Sequence, residues 1–355
     1  MVPRNKGTGV ALYVDKDGVH KVIRDRANSE PARGEIQVEV MYSGVNPVDI
    51  KHAADVGMCP TVMGYDFMGR VSKVLPESEF AVGDLVAGYT LLGFEHTKSD
   101  KYGTHQPYVA APEDVIWRVP DHMPYAHAAA LTTSVATAAD ALNHFGYVEP
   151  STRHPNPGFP YGPLLIWGAS TSIGLAMLQL ARACDASPIF VTASRRHHEM
   201  LRKYGAARCF EHADLEVVTQ IQAALKEEGA GSFAHVSDCI GTPEAAETIL
   251  AVADCRNRVT IAQSREGFMT VYGCRARMTS VRSPVSLVRF TMAPQVYMQR
   301  AIWKKVAWAF ENYGSKFEFP VVQVFEGKAE EALEKVREVG ANERFGKLTL
   351  KHPLI

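Results

Sequence analysis

LLIWGASTSIGLAMLQLAR, residues 164–182, decides the fold of this chain. Its first four residues are apolar, as in a strand buried on both faces, and the run stops at Gly168. From Ser172 onward Ile173, Ala176, Met177 and Leu180 recur at helical spacing, so the segment reads strand, tight turn, helix. Gly168 and Gly174 hold the outer positions of a G-x-G-x-x-G pattern, with Ser170 where the middle glycine would stand. Small residues let a backbone approach a pyrophosphate, and a helix N-terminus offers unpaired amides and the positive end of a dipole. Thr171, Ser172, Ile173 and Gly174 are therefore the expected pyrophosphate cradle, with the hydroxyls of Ser170, Thr171 and Ser172 as further donors. Glycine turns of this kind also occur where no nucleotide binds, so the neighbouring segments carry the decision.

Downstream, SPIFVTAS, HHEMLRKYGA, RCFEHA, DLEVVTQIQAALKEEGA, FAHVSDCIG, PEAAETILAVAD and RVTIAQ alternate strand with helix. That order predicts βαβ units and a doubly wound parallel sheet. The strand SPIFVTAS ends at Ser194, where a dinucleotide fold places the residue that reads the adenosine ribose. A carboxylate there would accept from a ribose 2′-hydroxyl, whereas this chain has Ser194, Arg195, Arg196 and His197. Two guanidiniums and a hydroxyl suit a 2′-phosphate, so NADPH is the expected cofactor. The alternative is a pair of solvated helix-start arginines, although cations at a helix N-terminus oppose its dipole.

Upstream, GVALYV, EIQVEVMYSGV, MGRVSKVL and DLVAGYTLL are short strands punctuated by Gly and Pro, as in a barrel or sandwich. AHAAALTTSVATAADALNHFG predicts a helix over 126–145 that stops before Gly146. Residues 150–163 hold five prolines and read as an irregular loop. The stretch 265–290 shows no clear period. A helix over 297–313, the strand FPVVQVF, the helix KAEEALEKVREVG and the strand GKLTLK then return to the style of the beginning. The fold class is thus α/β: a β-rich domain over 1–125 completed by 315–355, with a Rossmann dinucleotide domain over 126–314.

Composition narrows the partners. The 355 residues are 46% hydrophobic and 22% charged with a net charge of −1, which supplies no one-sided field for nucleic acid or an anionic membrane. No apolar run has the length of a membrane span, and the N-terminus lacks the apolar core of a signal peptide, so a cytoplasmic protein is expected. Six scattered cysteines without a C-x-x-C pair fit reduced thiols.

Eight ordered landmarks give the sequence a resemblance to the medium-chain dehydrogenase/reductase superfamily. They are GVNPVDIK at 44–51, MGYDFMGRV at 63–71, VGDLVAG at 82–88, LTTSVATAADAL at 131–142, the Gly168–Gly174 loop, KYGAARCFEH at 203–212, SDCIG at 237–241 and GKLTL at 346–350. The resemblance implies a GroES-like first domain. In zinc-dependent members a Cys and a Gly-His-Glu stand where this chain has Asn46-Pro47 and Gly64-Tyr65-Asp66, so no catalytic metal is expected. His96, His105, His122 and His127 read as surface or loop histidines. The Asn-Pro-x-Asp-x-Lys form is similar to quinone oxidoreductases and enoyl reductases, above all to the trans-acting enoyl reductases that serve fungal highly reducing polyketide synthases.

What the resemblance implies for the site is specific. Val48, Asp49, Ile50 and Lys51 would lie against the cofactor, Lys51 near the nicotinamide ribose or its phosphates, and Thr137 would approach the nicotinamide. Lys51 and Thr137 are the catalytic side-chain candidates, neither with a fixed acid role. Each also has a plain reading, a solvated lysine and a helix hydroxyl turned to its own backbone. Leu131, Thr132, Thr133, Ser134, Val135, Ala136, Thr137 and Ala138 would border an acyl substrate. His212 would cover the adenine, Ile261 and Ala262 would flank the carboxamide, and Phe345 and Gly346 would approach from the C-terminal segment. Proton delivery is left to water, because no tyrosine occupies HAADVGMCPTV. Arg275, Arg277, Arg282 and Arg289 would form a basic rim for the phosphopantetheine arm of an acyl carrier protein, or are ordinary surface arginines. Pro284 and nearby charges would blunt edge pairing and favour a monomer over a homodimer. The activity expected is NADPH-dependent reduction of an α,β-unsaturated acyl thioester, with a free-standing quinone or enone reductase as the alternative.

Overall fold

The computed structural model describes residues 8–56, 59–90, 102–147, 149–150, 162–252, 259–263, 277–283, 286–288, 296–341 and 345–355. It divides into two compact units, Met1–Thr133 with Phe319–Ile355 and Ser134–Glu318. The sequence places these borders at 125 and 314. The first falls instead inside a helix, because Thr132 and Thr133 are hydrogen-bonded to Asp66 of the first unit.

The first unit opens with β1 (Thr8–Val14), β2 (His20–Ala27), β3 (Glu35–Val45), α1 (Val48–Val56), β4 (Thr61–Val62), β5 (Asp66–Lys73), β6 (Leu85–Tyr89), β7 (Tyr108–Pro112) and β8 (Ile116–Arg118). β2, β1 and β4 form a small antiparallel sheet. β3 is the spine of the larger one, paired antiparallel with both β5 and β7. Ile36, Val38 and Val40 alternate along β3 and so share one face, where they pack on Phe67, Val71, Val86 and Val109. The helix α1 is absent from the sequence reading, which left Lys51 at a strand end. Its start is locally encoded: Asp49 accepts the Asn46 amide at 2.8 Å while the Asp49 amide reaches Asn46 O at 3.0 Å, a reciprocal cap.

α2 (Tyr125–His144) leads into the second unit, which contains β9 (Leu164–Trp167), α3 (Ser172–Ala183), β10 (Ile189–Ala193), α4 (His198–Lys203), β11 (Arg208–Glu211), α5 (Val217–Glu227), β12 (His235–Asp238), α6 (Pro243–Val252), β13 (Val259–Gln263), β14 (Arg277–Ser283), β15 (Ser286–Val288) and α7 (Val296–Glu311). The strand order is β11-β10-β9-β12-β13-β14-β15. From β11 to β13 every pairing is parallel, and β14 joins β13 antiparallel. The order reverses between β9 and β12, and doubly wound sheets bind their ligands beyond the carboxyl ends of the strands at such a point. One face of this sheet carries Phe190, with Phe233 edge-on at 5.5 Å and Phe210 at 5.7 Å, and buries Ile221 and Leu225 of α5. Of the proline-rich loop, 151–161 lie outside the described residues.

The chain then returns to the first unit as β16 (Val322–Phe325), α8 (Ala329–Ala341) and β17 (Lys347–Lys351). β17 pairs antiparallel with β3, Leu350 opposite Ser43, and α8 buries Ala332, Leu333 and Val336 against Leu12, Val45 and Met63. Among the described residues no helix is long and apolar enough to cross a membrane. Among the described residues Cys184 and Cys239 are buried and Cys59 and Cys209 partly exposed, none of them in a disulfide.

One core residue of the second unit makes a test of this packing. His235 stacks on Phe145 at 4.7 Å and meets the edge of Tyr147 at 5.9 Å, and its Nδ1 is buried without a partner among the described residues. Burial lowers its pKa from 6.5 to about 4. The folded state therefore binds this proton more weakly than the unfolded chain, so stability is complete above pH 6.5 and is lost as pH falls toward 4. Urea unfolding should show a loss of about 3 kcal/mol from this group across that window. His235→Phe should flatten that part of the pH dependence, and an unchanged slope would refute the assignment.

Candidate active site

In the second unit β9 delivers the chain to Gly168, whose φ of +82° suits glycine. β10 holds the turn from the side: the Gly168 amide donates to Thr192 Oγ1 at 3.0 Å and the Ala169 amide to Thr192 O at 2.9 Å. Gly174 is required by proximity, since a Cβ there would lie 2.4 Å from Gly168 O and 2.7 Å from Ala169 Cα. Thr171 caps α3, its Oγ1 accepting from the Gly174 amide at 3.0 Å and donating to Gly168 O at 2.9 Å. This corrects the expectation for Thr171: its hydroxyl hydrogen is held inside the loop and is not offered to a phosphate. The amides of Ser172 and Ile173 stand in the first turn, where no carbonyl of the helix can reach them. Both residues are partly exposed, as is Ser170.

β10 ends at Ala193, opposite Glu211 at the end of β11. Ser194 then begins a single 3-10 turn, Arg195–His197, which passes into α4. Glu211 fixes the turn by accepting the Arg195 amide at 2.6 Å, and it holds His212 at 3.1 Å. His198 donates to Ala193 O at 2.9 Å from below. Arg195 and Arg196 are both exposed, and among the described residues neither forms an ion pair with a carboxylate. Arg196 Nε donates to His197 Nε2 at 3.1 Å, and burial together with that guanidinium lowers the His197 pKa. His197 thus stands as a neutral acceptor beside the arginines. Ile261 and Ala262 lie on β13. Of the arginines expected at a basic rim, Arg277 and Arg282 lie on β14, and Arg275 and Arg289 lie outside the described residues.

In the first unit the chemistry gathers on a buried carboxylate. Asp66 Oδ1 lies 2.5 Å from Thr132 Oγ1, 2.7 Å from the Thr133 amide and 2.5 Å from Thr133 Oγ1. Asp66 Oδ2 accepts Asn46 Nδ2 at 2.9 Å and lies 4.0 Å from the Lys347 ammonium, which donates to Asn46 Oδ1 at 2.6 Å. Gly44 makes the assembly possible, because a Cβ there would lie 2.2 Å from Ala129 O and 2.8 Å from Asp66 Cβ. Burial pulls the Lys347 pKa down, against the pull of Asp66 and then Asp49 in the other direction.

Other expected residues fall on either side of this cluster. Val48, Ile50 and Lys51 on α1 are partly exposed, whereas Asp49 is fully buried and its carboxylate faces inward to Asn46 and His105. Of the eight residues 131–138, only Thr133 and Thr137, one turn apart on α2, are partly exposed. The side chains of Leu131, Thr132, Ser134, Val135, Ala136 and Ala138 are buried, which narrows the stretch to one stripe. Phe345 and Gly346 precede β17, Gly346 with φ of +93°. His105 lies in the loop before β7 but not at the surface: it has no exposure, for reasons visible only in three dimensions. His122 is exposed and His127 partly so, and His96 lies outside the described residues. Asp66, Lys347 and Asn46 are the residues that sequence reasoning passed over. The signal was present in an aspartate inside MGYDFMG and a lysine beginning an otherwise apolar strand.

These donors do not suit zinc. Zinc takes thiolate, imidazole or carboxylate lone pairs, and here a carboxamide, a carboxylate occupied by hydrogen bonds and an ammonium share the space. Among the described residues no group of three or more His, Cys, Asp or Glu is placed to hold a metal ion. The nicotinamide dinucleotide fits better, because the second unit presents a glycine-lined turn, two first-turn amides and two exposed guanidiniums.

Residues 32–121 match the family model of the alcohol dehydrogenase GroES-like domain, and residues 172–278 match that of zinc-binding dehydrogenase. The chain is 29% identical over 246 residues to trans-enoyl reductase tazE of Aspergillus terreus, covering 65% of this chain and 76% of that protein. It is 33% identical over 218 residues to trans-enoyl reductase himH of Aspergillus japonicus, covering 59% and 60%. The fold is shared with mycobacterial Rv1454c, solved complexed with NADPH, at a TM-score of 0.67 and 18% identity over 97% of this chain and 99% of that one.

The buried cluster predicts strong coupling. Asp66→Asn and Lys347→Met should each destabilise the protein by about 3–5 kcal/mol, since each leaves a buried charge without its counterpart. In a double-mutant cycle measured by urea unfolding, the combined variant should lose clearly less than the sum, and simple additivity would show that the two groups do not interact.

Proposed function

Because the chain belongs to the medium-chain dehydrogenase/reductase superfamily, we propose that it is an NADPH-dependent enoyl reductase acting in trans on α,β-unsaturated acyl thioesters carried by the acyl carrier protein of a polyketide synthase. The observation that carries the cofactor choice is the pair Arg195 and Arg196, both exposed at the end of β10 and, among the described residues, in no ion pair within 4.0 Å of a carboxylate. A 2′-phosphate satisfies two such guanidiniums, and a bare ribose hydroxyl does not. The curated relatives named trans-enoyl reductase support the enoyl reductase reaction.

When bound, NADPH supplies the hydride that adds to the β-carbon of the substrate. The protein's part is binding and orientation. Ser172 and Ile173 amides hold the diphosphate at the positive end of α3, and Thr171 keeps that turn closed. Ser194, Arg195 and Arg196 hold the 2′-phosphate, with Glu211 fixing the turn through the Arg195 amide. Lys51 on α1 binds at the nicotinamide ribose, and Thr137, with Thr133 one turn before it, borders the acyl group. Orienting two reactants in this way converts an encounter into a first-order step.

The test pairs substrates and cofactors. Loss of nicotinamide absorbance is followed with crotonyl-pantetheine thioester and, separately, with a simple quinone. Thioester turnover with NADPH is expected, and quinone turnover alone would favour a free-standing quinone reductase. Arg195→Ala should weaken NADPH binding by about 1–3 kcal/mol and leave NADH binding nearly unchanged. Equal losses for both cofactors would refute the phosphate assignment.

A further inference from the structure

In a dinucleotide fold that reads a bare ribose, the carboxylate that accepts from the 2′-hydroxyl follows the second strand. Here the second strand of the unit, β10, is followed by Ser194 and Arg195, and a carboxylate reaches the same turn from the third strand instead. Ala193 and Glu211 stand opposite each other at the ends of β10 and β11. Glu211 thereby meets the turn Arg195–His197 from the side.

Both oxygens of Glu211 are engaged by the protein. Oε2 accepts the Arg195 amide at 2.6 Å, and Oε1 lies 3.1 Å from His212 Nδ1. Partial burial works against the charge, but the amides of Arg195 and then Ala213 hold the carboxyl below the usual carboxylate range. Asp214, the next carboxylate along the chain, is turned to the start of α5, where it accepts the Glu216 amide at 2.9 Å and Gln220 Nε2 at 3.0 Å. An anion at Glu211 has two opposed effects on a 2′-phosphate beside it. Its charge repels, while its hydrogen bond sets the backbone from which Arg195 and Arg196 project. Both arginines are exposed, so water and salt screen the repulsion, whereas a short charge-assisted bond is either made or lost. The bond is the larger effect.

We propose that Glu211 is a positioning residue that sets the preference for NADPH over NADH. It fixes the Arg195–His197 turn in the form that receives the 2′-phosphate, and with both oxygens engaged it is a poor acceptor for a ribose 2′-hydroxyl. This rests on the NADPH reading above, in which Arg195 and Arg196 hold that phosphate. What matters in Glu211 is then the reach of an acceptor oxygen to the Arg195 amide, and its negative charge is secondary.

Two substitutions separate reach from charge. Glu211→Gln keeps an acceptor of the same length and drops the charge, whereas Glu211→Asp keeps the charge and is one methylene too short for the amide. The full chain is titrated with NADPH and, separately, with NADH, following protein fluorescence. Glu211→Gln should keep the wild-type ratio of the two dissociation constants within about threefold, and Glu211→Asp should raise the Kd for NADPH roughly five- to tenfold and that for NADH by less than about twofold. An unchanged ratio in Glu211→Asp overturns the proposal and leaves the NADPH reading intact. So does a ratio lost in Glu211→Gln and kept in Glu211→Asp, which would make charge the determinant. Equal losses for both cofactors in Glu211→Asp, or loss of its native circular dichroism, assign Glu211 a structural role only and likewise overturn the proposal. A wild-type chain that binds the two cofactors equally sinks the NADPH reading itself.

Discussion

A carboxylate taken out of water without partners is intolerable, and Asp66 is taken out of water completely. The first unit is arranged to meet that demand. Asn46 comes from the link between β3 and α1, Thr132 and Thr133 from α2, and Lys347 from β17, so one side chain ties together segments from the start, middle and end of the chain. Buried ion pairs seldom add net stability over an apolar replacement, but removing one member is severe. Such a cluster therefore specifies an arrangement more than it strengthens one. Here it fixes the start of α1, which carries Lys51, and a turn of α2 that lies just before Thr137 on the same helix.

The second unit solves a different problem with smaller means. A diphosphate needs backbone amides at close range, and side chains stand in the way. Gly168 and Gly174 remove them where strand, turn and helix crowd together, and Thr171 closes the turn with both functions of one hydroxyl. One strand away Glu211 grips the Arg195 amide and not its guanidinium. The backbone of the turn is thereby anchored by an anion while the guanidinium side chains of Arg195 and Arg196 stay exposed.

What was legible in the sequence was whatever is encoded locally. The run 164–182, the alternation that follows it and the arginines after β10 all depend on neighbours within a turn or two, and periodicity reports them. The helix α1 was missed although its reciprocal cap is equally local, because Asn46 and Asp49 read more readily as part of a strand end. The partners of Asp66 and His105 were invisible for a better reason. The Asp66 partners lie 20 residues away at Asn46 and 66 at Thr132, and Lys347 is 301 from Asn46. His105 meets Ser43 across 62 residues, and His352 meets it across 309. No window along the chain contains such pairs, and a lone histidine among Gly, Thr and Gln looks like a loop residue.

The two buried lines of the first unit meet at the turn of Asn46 and Asp49, and that meeting has a chemical consequence. Asn46 joins Asp66 and Lys347 through its side chain and Asp49 through its amide. A member of this superfamily that uses zinc has a strong Lewis acid to hold charge that develops on a substrate, and it can leave proton supply to the water around it. A member with Asn46, Tyr65 and Asp66 in those places presents instead a carboxamide, a phenol and a carboxylate already taken up in hydrogen bonds. The Lys347 ammonium is held beside Asp66 and Asn46, and Asp49 is tied to His105 and to the Asn46 amide. Their burial is what makes them effective, since charges and hydrogen bonds act more strongly where water is excluded.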